Sequence, residues 1–132
     1  MSPPSADSLP RRALIADDED MVRDFCAFGL QRMGYEVETV ESVAAAKERI
    51  ALDGGLDLVV IDLVFPDGSG GEIYATLLEH IPTAAVLLSS GYDAHDVLTG
   101  VGEGCAFLPK PYSLQELEAA VARALGGEEQ VA

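Results

Sequence analysis

The chain has 132 residues, 48% of them apolar, and a net charge of −15 from 23 acidic and 8 basic side chains. Its length allows one domain with a real core rather than two, and its composition is that of a globular protein rather than a disordered one. The acidity leaves no basic footprint for direct contact with nucleic acid. No apolar run approaches bilayer-spanning length, and the start lacks a charged-then-apolar signal pattern. A soluble, cytoplasmic protein with no membrane partner is expected.

Residues 1–10, rich in Pro and Ser without periodicity, read as a disordered leader or linker, and 127–132 as a flexible tail. Between them, residues 11–126 alternate strand and helix patterns. The apolar run Ala13-Leu14-Ile15-Ala16 predicts a strand that ends on Asp17 and Asp18. A helix follows from about Asp20, with Val22, Cys26, Leu30 and Met33 on one face and Gly34 as its stop. Tyr35 to Val40 alternates as a short strand, and Ser42 caps an alanine-rich helix that ends near Asp53-Gly54-Gly55. Asp57 to Ile61 is the most continuous β-branched run, suited to a central strand buried on both faces.

Beyond the loop from Asp62 to Gly68, Ser69 and Glu72 have capping-box spacing and open a third helix, which Pro82 closes. Ala84 to Leu88 predicts the fourth strand, leading into Ser89 and Ser90. The segment Ala94 to Gly104 carries three glycines, each costing a helix roughly 1 kcal/mol relative to alanine, so the fourth helix should be short or mobile. Cys105 to Leu108 predicts the fifth strand, followed by Pro109-Lys110-Pro111. Ser113 and Glu116 form another capping box, opening a fifth helix with a core stripe of Leu114, Leu117, Val121 and Leu125. Two cysteines alone are a weak pairing signal, so Cys26 and Cys105 read as buried thiols.

Strictly alternating strands and helices call for an α/β three-layer sandwich around a parallel sheet. Right-handed crossovers then favour a flavodoxin-like (βα)5 fold with strand order 2-1-3-4-5. In such sheets ligands bind beyond the carboxyl ends of the strands. Asp17, Asp18, Asp62, Ser89 and Lys110 all fall there. An isolated Asp at a strand end usually caps a turn, and an isolated Lys is usually surface decoration. Carboxylates, a hydroxyl and an ammonium at one edge are instead the toolkit for metal-assisted chemistry on a phosphoryl group. Adjacent carboxylates raise each other's pKa unless a cation compensates, and Mg²⁺ (or Mn²⁺) suits hard oxygen ligands. Asp62 has the position of a nucleophile and Lys110 that of a neutralising charge. Glu19 could join this cluster, though a surface position is the favoured reading. Ser90 competes with Ser89, since pleat alternation lets only one face the site. Pro111 is the candidate for a cis peptide bond.

The stretches Ala16-Asp17-Asp18-Glu19, Asp62-Leu63-Val64-Phe65-Pro66-Asp67-Gly68-Ser69-Gly70, Leu88-Ser89-Ser90-Gly91-Tyr92 and Lys110-Pro111 resemble the receiver domain of bacterial two-component response regulators, over about residues 11–126. The resemblance implies that Asp62 is the phosphoacceptor, and that Asp17, Asp18, Asp62 and the Val64 backbone carbonyl bind Mg²⁺. It implies Ser89 as the switch hydroxyl, Lys110 as its ionic partner and Phe107 as the aromatic switch. It further implies a phosphoacceptor rather than an enzyme, acting only on its own phosphorylation and dephosphorylation. A histidine kinase or phosphotransfer domain would be the donor and a downstream protein the target. The switching surface would be the fourth helix, fifth strand and fifth helix, which is also a possible homodimer face. The Ser-Ser-Gly-Tyr stretch and the leader resemble receivers fused to hybrid histidine kinases, so a receiver excised from such a protein is the alternative. Less favoured is a docking module independent of phosphorylation. A haloacid dehalogenase-type phosphatase needs a second acid where Val64 stands, and a flavin-binding protein needs a Ser/Thr-rich loop after the first strand. Val64 also cannot hold a hydrolytic water by hydrogen bonding, which predicts a long-lived phosphoryl state.

Overall fold

The computed structural model describes residues 11–52, 55–91 and 105–126. The fourth predicted helix, the leader and the tail lie outside the described residues. Five parallel strands, β1 (Arg11–Ala16), β2 (Tyr35–Val40), β3 (Leu58–Asp62), β6 (Ala85–Ser90) and β7 (Ala106–Pro109), form one sheet in the order β2-β1-β3-β6-β7. Numbering only these five strands gives 2-1-3-4-5, the expected order. A small antiparallel hairpin, β4 (Val64–Phe65) with β5 (Gly68–Ser69), lies outside the sheet. It replaces the loop expected between Asp62 and Gly68.

The helices are α1 (Asp20–Arg32), α2 (Val43–Ala51), α3 (Gly70–His80) and the C-terminal α4 (Leu114–Ala124). Pleat alternation sorts the core into two layers. Leu14, Val59, Ile61, Val86 and Leu88 pack with Val43, Ala46 and Ile50 of α2 and with Ile73 and Leu77 of α3. Ala13, Ile15, Leu58, Val60 and Leu87 pack with Cys26 and Leu30 of α1 and with Leu117, Ala120 and Val121 of α4. Because both faces of β3 are covered, all five of its residues are buried. Full burial of each large aliphatic side chain contributes about 1.5–3 kcal/mol, so this strand anchors the sheet. Helices α1 and α4 meet closely at Gly29, where a Cβ would come within 2.6 Å of Leu117 Cδ2.

Local chemistry starts the helices as expected. Ser42 Oγ accepts from Ala45 N–H at 3.0 Å, and Ser113 and Glu116 exchange bonds of 3.1 and 2.9 Å. Leu125 departs from the expected stripe. Helix α4 ends at Ala124, and Leu125 is its exposed C-cap, while Ala120 takes the buried place. Among the described residues no helix is long and apolar enough to cross a membrane.

Candidate functional site

Three strand ends and the β7–α4 loop open into a cavity of about 780 Å³, whose lining includes Asp18, Glu19, Asp62, Val64, Ser90 and Lys110. Asp17 lies beneath it, 4% exposed. The loop after β1 is pinned from both sides. Asp17 N–H donates to Val40 O at 3.1 Å, Asp17 Oδ1 accepts Glu19 N–H at 2.9 Å, and Arg23 donates to Asp17 O at 2.9 Å. Asp17 therefore cannot swing out to solvent.

Asp62 is the last residue of β3, paired with Ser89 of β6. The next residues turn sharply, with Leu63 N–H donating to Ser89 O and Gly70 N–H to Leu63 O, each at 3.0 Å. This closeness explains Gly70. A Cβ there would stand 2.3 Å from Asp62 O and 2.9 Å from both Ile61 Cγ2 and Leu63 Cα. Asp67 holds the hairpin at its other end, accepting Val43 N–H at 3.0 Å and Ala44 N–H at 3.1 Å at the start of α2. Those backbone contacts keep its carboxyl below the ordinary value.

Lys110 follows β7, its N–H bonded to Ser90 O at 3.0 Å, and the peptide joining it to Pro111 is cis. Its ammonium reaches Glu19 Oε1 at 2.8 Å, Asp17 Oδ2 at 3.0 Å and Asp62 Oδ2 at 3.3 Å. Burial opposes the charge on Lys110, but the contacts with Glu19 and Asp17 and the field of Asp62 outweigh it and push its pKa up. The effect on Asp62 is unequal. Burial, with the Asp17 charge in support, lifts its carboxyl to about 6, against the opposing pull of Lys110 and the Val64 N–H. One ammonium is shared among several carboxylates, so it cannot compensate each of them fully. Carboxylate oxygens of Asp17, Asp18 and Asp62 lie within 4.8 Å of one another. This all-oxygen, acid-rich donor set fits a hard divalent cation such as Mg²⁺.

The expected residues Asp17, Asp18, Asp62 and Lys110 thus come together, with Val64 on the cavity wall. Two expectations change. Strand β6 runs two residues further than predicted, through Ser90. Because Leu87 packs toward α1 and α4 and Leu88 toward α2 and α3, Ser89 and Ser90 face opposite sides. Both are 1% exposed, but Ser90 lines the cavity, whereas Ser89 does not, and among the described residues its Oγ has no hydrogen-bond partner. The hydroxyl candidate is therefore Ser90, not Ser89. Phe107, the residue expected as the aromatic switch, is half-buried against the α2–α3 layer, with its carbonyl accepting from Arg123 at 3.2 Å.

Glu19 is exposed, as expected of a surface residue, yet it also joins the cluster, supplying the shortest contact to Lys110. Its proximity to Asp17 and Asp18 in sequence was the available signal; the loop geometry that aims it was not. The Pro66-Asp67-Gly68 turn was a legible hairpin signal. Both described cysteines are free, and burial, eased by the Tyr112 hydroxyl, pushes the Cys26 thiol up to about 11, so it is inert as a nucleophile.

Residues 13–122 match the family model described as the response regulator receiver domain. The transcriptional regulatory protein CutR of Streptomyces coelicolor is 37% identical over 117 residues, covering 87% of this chain and 53% of that protein. The chain thus spans about half the length of that relative. A solved response regulator receiver protein from Sinorhizobium medicae superposes with a TM-score of 0.82 at 26% identity, over 89% of this chain and 95% of that one. A response regulator protein from Burkholderia pseudomallei, solved with a phosphorylated aspartic acid, a calcium ion and citrate, gives a TM-score of 0.76 at 25% identity. That match covers 92% of this chain and 73% of the other.

Proposed function

This chain belongs to the response regulator receiver domain family, and on that premise we propose that Asp62 accepts a phosphoryl group from the phosphohistidine of a histidine kinase or phosphotransfer domain. The observation that carries the reading is the convergence of Asp62, Asp17, Asp18 and Lys110 at one edge of the parallel sheet. An Asp62 carboxylate oxygen forms the new O–P bond while the N–P bond of the donor breaks, and the imidazole leaves. Such a transfer depends on in-line positioning and on neutralising the equatorial oxygens more than on acid–base help. Lys110 supplies the protein's own positive charge. Asp17, Asp18, Asp62 and the Val64 carbonyl would hold Mg²⁺, which when bound neutralises phosphoryl charge as a Lewis acid.

The phosphoryl group carries roughly −1.5 to −2 charge where the ionised Asp62 carboxylate carried about −1, and spreads it over three acceptor oxygens. Ser90, on the cavity wall, is the hydroxyl that turns toward it. The sheet edge formed by β7, with Phe107, and the neighbouring α4 is the output surface, read by a downstream protein rather than by nucleic acid. Where the domain works within a longer protein, the same surface addresses a neighbouring domain.

Intact mass after incubation with acetyl phosphate and Mg²⁺ tests the reading. One phosphoryl adduct is expected on the wild type and none on Asp62→Ala or without metal. A folded wild type that never acquires the adduct would overturn it.

A further inference from the structure

We propose that Glu19 is an internal competitor for Lys110, a positioning residue that holds the ammonium until a phosphoryl oxygen displaces it; this rests on the phosphoacceptor reading of Asp62. Three anions share Lys110 Nζ, and Glu19 makes the shortest contact, 2.8 Å against 3.0 Å for Asp17 and 3.3 Å for Asp62. They differ in what surrounds them. The Asp17 and Asp62 side chains are 6% and 7% exposed, while that of Glu19 is 58% exposed. Losing the lysine would strand Asp17 or Asp62 as a buried charge, but Glu19 needs only to rotate into water. Its backbone need not move. Glu19 N–H is held by Asp17 Oδ1 at 2.9 Å and its carbonyl accepts Arg23 N–H at 2.9 Å. Glu19 is therefore the partner that yields.

The carboxylate also lines the cavity that a phosphoryl group must enter, and stands outside the Asp17, Asp18 and Asp62 cluster. Both effects of its charge, occupying the lysine and repelling the incoming anion, oppose phosphoryl binding without involving the cation's ligands. Glu19 thereby sets a threshold on activation rather than assisting it.

Titration of beryllofluoride, a phosphoryl mimic, in Mg²⁺ separates these ideas. Wild type, Glu19→Gln and Glu19→Asp would be followed by amide spectra, with folding verified by circular dichroism. Glu19→Gln should bind the mimic about two- to fivefold more tightly, the range of a partly exposed ion pair. That gain should shrink as salt rises from about 0.05 M to about 0.5 M. Mg²⁺ affinity without the mimic should stay within about twofold, the tolerance set by screening of a single exposed charge. Glu19→Asp keeps the charge but falls short of Lys110, so an intermediate gain supports the lysine contact. A gain confined to Gln would leave only the field and overturn the competition for Lys110. Equal or weaker binding by Glu19→Gln would overturn the proposal while leaving the phosphoacceptor reading intact. No binding by any of the three folded proteins would sink that reading, and the competitor role with it.

Discussion

Replacing Asp62 with asparagine should stabilise the cation-free protein, by an amount that depends on pH. Burial and the neighbouring Asp17 lift the Asp62 carboxyl from its ordinary 3.8 to about 6. That difference corresponds to about 3 kcal/mol of penalty on the ionised form at neutral pH. Asparagine has the same shape, carries no charge and can still accept the Val64 N–H. Lys110 loses one partner but keeps Glu19 at 2.8 Å and Asp17 at 3.0 Å. Allowing for that lost contact, the net gain should be about 1–3 kcal/mol.

The pH dependence follows from proton binding. The unfolded chain releases its Asp62 proton near the ordinary value, and the native protein only near 6, so between them the native state holds more protons. The penalty is therefore absent below about pH 4, grows as the pH rises, and is complete above about pH 6. Urea unfolding of both proteins in a chelator, near neutral pH and again below about pH 4, measures it. The midpoints should separate at neutral pH and converge in acid, and Mg²⁺ should narrow the neutral gap by satisfying the wild-type carboxylates. A gain of equal size at both pH values, or a less stable Asp62→Asn at neutral pH, would refute the reasoning.

Gly70→Ala should cost about 3 kcal/mol or more, because its Cβ would meet the backbone at 2.3 Å and overpacked backbone cannot yield as side chains do. Gly71→Ala, facing only Ser69 Oγ at 3.5 Å, should unfold in denaturant almost as the wild type does. Ser89→Ala should be neutral or stabilising by up to about 1 kcal/mol, since it removes a buried hydroxyl that has no partner among the described residues. Ser90→Ala should leave phosphorylation of Asp62 detectable yet blunt the amide-shift response of residues 105–112 to beryllofluoride; the opposite pattern for the two serines would restore Ser89 as the switch. Val64 is 46% exposed on the cavity wall. An aspartyl phosphate there should be long-lived, and Val64→Asn should shorten its lifetime by offering water a hydrogen-bonding side chain, as loss of label after donor removal would measure.

The alternating pattern was enough to place the five parallel strands, because an apolar run such as Leu58-Val59-Val60-Ile61 has few other stable homes than a sheet covered on both faces; their order came from likeness to the flavodoxin-like fold type rather than from the pattern. It also placed Asp17, Asp18, Asp62 and Lys110, since the strand ends of a parallel sheet share one edge whatever the side-chain detail. The helix starts at Ser42, Ser69 and Ser113 were legible for a similar reason: capping is local chemistry between residues three apart. What escaped depended on distances between segments far apart in the chain. Choosing Ser90 over Ser89 required knowing where β6 ends, because one residue reverses the face. The burial of Ala120 in place of Leu125 depended on where α4 stops against the sheet. The Asp67 anchor on α2 spans 24 residues. The Glu19–Lys110 contact spans 91, and only a fold that brings the two segments together turns a surface glutamate into part of the site.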